Sequence, residues 1–169
     1  MSDWLELFNA YRAPAQHVTG LLLAAAIWRW GGSPERWLAA MFVLTMILPV
    51  YLVRLLGSQD FFVFGAWEVY YVLIDVVAAI LFLGVALNAN RNYPMGIAAF
   101  QLVAVGAHMV DAVADSASPL AIAILVIGPS YFQLLLLLTG FIRHIRRERR
   151  FGPYRAWRTA PPATGGLTI

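Results

Sequence analysis

The sequence predicts an all-α fold: a polytopic integral membrane bundle of four or five transmembrane helices, with its C-terminus in the cytoplasm. Three observations carry this expectation. Of the 169 residues, 61% are hydrophobic and 12% charged, and the mean hydropathy is +0.71. A soluble domain is about 45–50% apolar and about 25% charged. Long apolar runs alternate with short polar breaks, and about twenty residues of helix cross a hydrocarbon core of ~30 Å. The chain has no lysine, and seven of its 12 arginines fall between Arg143 and Arg158, directly after the last apolar run.

Residues 1–13 read as an amphipathic helix lying in the membrane interface. Trp4, Leu5, Phe8 and Tyr11 recur at helical spacing, with Asp3, Glu6, Asn9 and Arg12 between them. Asp3 and Glu6 stand where a signal peptide would carry positive charge, so insertion is expected to fall to the first membrane helices. Pro14 suits the first turn of a new helix.

The transmembrane bundle is expected over 14–142. Its first segment, 14–30, gives roughly 25 Å of helix, marginal for a span, and ends at Gly31-Gly32-Ser33-Pro34. Segments at 37–56, 66–87, 95–113 and 120–142 are full spans. They are separated by a turn at 57–60, the loop NANRNYP and the loop ADSASP. Residues 143–169 form an Arg-rich tail with an irregular Pro/Gly/Thr-rich end.

Arginine placement sets the orientation. With the tail inside, Arg29, Arg36, Arg91 and the seven tail arginines share one side, leaving only Arg12 and Arg54 on the other. That is a strong positive-inside bias and points to a multi-pass protein of the cell's inner membrane.

Ionisable groups within a span are costly and each one needs a reason. Glu68, Tyr71 and Asp75 lie on one face of the third segment. Gln101, His108, Asp111 and Asp115 lie on one face of the fourth. Counted from the outer ends of two antiparallel helices, His108 is level with Tyr71, and Asp111 with Glu68. The two faces then form a polar seam running from the outer surface to about mid-depth at Asp75.

Such a seam suits a proton or cation path. His17, Glu68, His108 and Asp111 would also serve as imidazole and carboxylate metal ligands. A purely structural role, hydrogen bonds that fix the register of the helices, competes with both. A bis-histidine haem would need His17 and His108 across one pocket, and no second histidine pair exists. No cofactor is strongly implied. Cysteine is absent, which excludes disulfides, thiolate metal sites and cysteine nucleophiles.

Pro49 and Pro129 fall inside spans and predict kinks. Arg143, Arg146, Arg147, Arg149 and Arg150 follow the last span and should contact anionic lipid rather than nucleic acid. No phosphate loop, nucleophile elbow, HExxH or dinucleotide fingerprint is present, which points away from an enzyme. The expected role is a non-catalytic accessory or scaffolding subunit, bound to other membrane subunits or to further copies of itself. The alternative is a small transporter or proton- or cation-coupled channel using the seam. A metal- or haem-binding redox protein ranks last.

Overall fold

The apolar runs fold as helices, and the run expected at 37–56 is divided by a π-helical turn. The computed structural model describes residues 2–55, 66–113 and 119–158. The expected turn at 57–60, most of the ADSASP loop and the irregular end from Thr159 onward lie outside the described residues. So do the side chains of Glu68, Asp111 and Asp115.

The chain is helical almost throughout. α1 spans Ser2–Trp30 and α2 spans Ser33–Phe42. A π-helical turn, Val43–Ile47, joins α2 to α3, Leu48–Leu55. α4 spans Ala66–Asn88, α5 Tyr93–Val113 and α6 Pro119–Phe151. There is no β-strand among the described residues. Two helical stretches, Ser33–Leu55 and Val69–Asn88, are long and apolar enough to cross a membrane.

Two boundaries differ from the sequence expectation. The break expected at Pro14 is absent, and α1 continues through it. Ala10 and Pro14 both lie on an exposed face, so the proline ring meets no neighbouring helix there. The tail expected to begin at 143 starts instead as two more turns of α6, because Arg143 to Phe151 contains no helix breaker.

The helix stops at Gly152, whose φ of 76° is the left-handed conformation glycine adopts without a Cβ penalty. Its N–H reaches Glu148 O at 2.9 Å and closes the last turn. The chain then folds back along the α4–α5 loop. Asn90 N–H bonds to Ala156 O at 3.0 Å, and Arg158 N–H to Asn88 O at 2.9 Å. Ala89 and Trp157 form an antiparallel bridge. This strap, 152–158, caps the arginine-rich end of the bundle.

Pro49 explains the π turn. A proline cannot donate to the carbonyl one turn back, so the helix widens before it. Leu48 N–H instead reaches back five residues to Val43 O, and Pro49 follows it in the first turn of α3.

The core runs along the axis of the bundle through Leu23, Ile27, Leu38, Phe42, Phe82, Ile97, Leu137 and Phe141. Elsewhere the apolar side chains face outward. Leu22 is 68% exposed, Ile80 66% and Ile124 62%.

Candidate functional site

Two polar clusters occupy the bundle, one toward the end away from the arginines and one at the arginine-rich end. The first is centred on Asp75 of α4. Side chains tilt toward the N-terminus of their own helix. In the antiparallel pair α4 and α5, Asp75 therefore leans one way and His108 the other, and they meet. His108 Nε2 lies 2.8 Å from Asp75 Oδ2. Gln101 Nε2 donates to Asp75 Oδ1 at 2.9 Å, and Gln133 Nε2 of α6 donates to Gln101 Oε1 at 2.7 Å. Two side chains of α5 thus hold the Asp75 carboxylate of α4, and Gln133 of α6 joins the network through Gln101.

His108, expected level with Tyr71, leans one turn deeper to make its contact with Asp75.

Beside Asp75 lies a cavity of about 260 Å³. Its wall includes Gln16 and His17 from α1, Thr45 from the π turn, and Tyr71, Asp75 and Gln101. Pro49 and Pro129, the two prolines expected to kink spans, also line it. α6 nevertheless continues through Pro129. Ser130 Oγ bonds to Ile127 O at 2.7 Å and accepts from Gln16 Nε2 at 2.8 Å, tying α1 to α6 at this point.

Two polar atoms of the lining residues are buried without a hydrogen-bond partner, Gln133 Oε1 and Arg12 Nε.

The remaining predicted residues divide. His17 packs edge-on against Tyr51, with ring centroids 5.5 Å apart, and lines the same cavity. His108 is engaged by Asp75, so the two histidines have different partners. Among the described residues no three His, Asp or Glu side chains converge as metal ligands. The proposed set with Glu68 and Asp111 falls partly outside those residues.

The second cluster was not anticipated as a cluster. Glu35, in the first turn of α2, is fully buried. It forms an ion pair with Arg91 of the α4–α5 loop and accepts from Tyr93 Oη at 2.9 Å. His144 of α6 sits 3.3 Å from Arg91 Nη2 and 3.0 Å from Tyr154 Oη, both through Nδ1.

Arginine can only donate, so Nδ1 is the acceptor, and the proton of neutral His144 is on Nε2, 3.4 Å from Glu148 Oε2. Burial, then the charge of Arg91, lowers the pKa of His144. The sequence signal was an acid placed directly after Gly-Gly-Ser-Pro and a lone arginine in the next loop on the same side.

An apolar layer separates the clusters. On α5, Ile97 lies between Tyr93 and Gln101; on α6, Leu137 lies between Gln133 and His144. Ile27, Leu38 and Phe82 complete the layer, and all five are at most 3% exposed. No family model matches the chain, and no curated protein or solved structure is significantly similar to it.

Proposed function

We propose that this chain is a multi-pass inner-membrane protein with four or five spans and a cytoplasmic C-terminus. Its proposed activity is to move protons through the cavity beside Asp75, alone or coupled to a small polar solute. The observation that carries the reading is a cavity in which a hydrogen-bonded carboxylate, a histidine and both proline-marked helix segments meet.

Support for the membrane comes from where the apolar surface lies. The core helix of a soluble protein is mostly buried, but only 28% of each apolar window in Ser33–Leu55 and Val69–Asn88 is buried. The rest faces outward, as lipid-facing surface does, and ten of the 12 arginines sit toward one side.

Support for proton movement comes from chemistry. His108 touches the Asp75 carboxylate at 2.8 Å, the imidazole–carboxylate contact that a proton relay needs, and His17 stands on the cavity wall. Arg12 on the cavity wall disfavours a resident metal cation but not proton transfer. The apolar layer around Ile97 closes the path toward the arginine-rich end, so passage requires a second conformation. The π turn, a common site of functional adjustment in helices, lies on the cavity wall.

The accessory-subunit role expected from size and composition would leave this cavity without a use. Reconstitution separates the two. The full-length protein in vesicles should dissipate an imposed pH gradient faster than empty vesicles, with or without a panel of small amines and amino acids. Asp75→Asn should lose that flux while keeping its helical content. A wild-type flux no greater than that of empty vesicles under every condition sinks the proton reading and returns the protein to an accessory role.

A further inference from the structure

We infer that the arginine-rich end of the bundle carries a binding pocket for the phosphate of an anionic lipid headgroup. The inference rests on the membrane reading above but not on Asp75.

A cavity of about 640 Å³ opens between the α4–α5 loop, the last turns of α6 and the strap, within the size range of ligand sites. Arg91, Arg143, Arg146, Arg147 and Arg150 line it, and no carboxylate does. Arg91 is held by Glu35, and Arg147 stacks on Tyr154 with its guanidinium 4.3 Å from the ring centroid. Arg143, Arg146 and Arg150 form no ion pair among the described residues.

Like charges three and four residues apart on a helix repel, so their convergence on one cavity calls for an anion. Guanidinium forks match phosphate oxygens in geometry and charge.

Position selects a lipid over a soluble anion. The headgroup zone is about 5–8 Å thick on each side of the hydrocarbon core. From Arg143 to Arg147, α6 rises about 6 Å, so arginines at the end of a span lie at phosphate depth. Leu138, Ile142, Arg146 and Arg150 follow at a spacing of four, one stripe in which exposed apolar residues give way to exposed arginines. A phosphate bound by the arginines would have its acyl chains along Leu138 and Ile142.

The test uses the full-length protein in neutral detergent, titrated with dihexanoyl phosphatidic acid and followed by thermal stability. Two variants remove equal charge: Arg146→Gln/Arg150→Gln within the pocket wall, and Arg29→Gln/Arg36→Gln outside it. All four side chains are exposed, so both variants should fold, and circular dichroism checks that they do.

The wild type and the outside variant should respond at similar lipid concentrations. The pocket variant should need about thirtyfold more. Equal loss in both variants would show diffuse attraction and overturn the pocket. Equal stabilisation by inorganic phosphate or by dihexanoyl phosphatidylcholine overturns the assignment to an anionic lipid. Carbonate washing of membranes containing the protein keeps the two readings apart. Release from the membrane overturns the membrane reading and this inference together, whereas retention without lipid binding overturns this inference alone.

Discussion

Tyr93 donates its hydroxyl to Glu35 Oε1 at 2.9 Å, joining the first turn of α5 to the first turn of α2 at a carboxylate that has no exposure to solvent. Both residues are tightly enclosed. A Cβ at Gly32 would come within 2.9 Å of Glu35 Oε2, and one at Gly140 within 2.6 Å of the Tyr93 ring. The arginine-rich end is therefore held by specific packing and not only by its charge.

Removing Glu35 alone should be severe. Glu35→Ala leaves Arg91 buried without its counter-ion, which typically costs about 3–5 kcal/mol. Glu35→Gln combined with Arg91→Gln should recover much of that loss, since no buried charge remains. Thermal unfolding of the full chain in detergent measures both. A double variant as unstable as Glu35→Ala would show that shape, not the ion pair, holds the junction.

The amide pair near Asp75 predicts a non-additive result. Gln133→Leu leaves Gln101 Oε1 without its donor, a loss of about 1–3 kcal/mol. Gln101→Leu should cost more, because it removes a donor to Asp75 and leaves Gln133 only its bond to Ile97 O. The combined change should cost less than the sum of the two, since they share one hydrogen bond. Strict additivity in thermal unfolding would mean that the bond contributes nothing.

His144 sets a pH dependence at the arginine-rich end. Its folded pKa lies below the ordinary 6.5, through burial first and the charge of Arg91 second. Arg36 adds to the lowering, and Glu148 opposes it. Below about pH 6.5 the unfolded chain binds the proton more readily than the folded one, so stability falls as pH falls through that range. His144→Gln should flatten the dependence between pH 7 and pH 5. An unchanged slope in that variant would place the titration elsewhere.

Topology is testable because the chain has no cysteine. A cysteine at Ser118, between the fourth and fifth predicted spans, should react with a membrane-impermeant reagent in intact cells, and one at Asn90 should not. The opposite pattern would invert the orientation and place the proposed lipid pocket on the outer leaflet.

Hydropathy made the helices legible, because each apolar run is long enough to wind as helix, although it hid the π turn that divides the run at 37–56. The meeting of Asp75, Gln101 and His108 follows from spacings of three and four, which put each set on one face of its helix. Which residue of α4 His108 touches was not legible, because side-chain tilt moves a contact by a turn without changing the sequence spacing. The cluster at Glu35 was hidden for a different reason. Two of its contacts, Arg91 to His144 and Glu35 to Tyr93, join residues 53 and 58 apart along the chain, and each member has a local explanation: an acid in a first turn, an arginine in a loop, a histidine in a basic run. Gln133 was overlooked within its leucine run, although one amide among so many apolar residues is itself a signal.

The π turn at Val43–Ile47 absorbs one residue without changing which side of α3 meets the cavity. A π turn holds one residue more than the α turn it replaces. Deleting one of the five would shorten the turn to α width and leave α3 near its present rotation, with Pro49 and Val50 still on the cavity wall. In the regular turns of α2 or α3 the same deletion would swing everything after it by about 100° and draw it back by about 1.5 Å. The stretch that departs from regular winding is therefore the one with slack for a change in chain length.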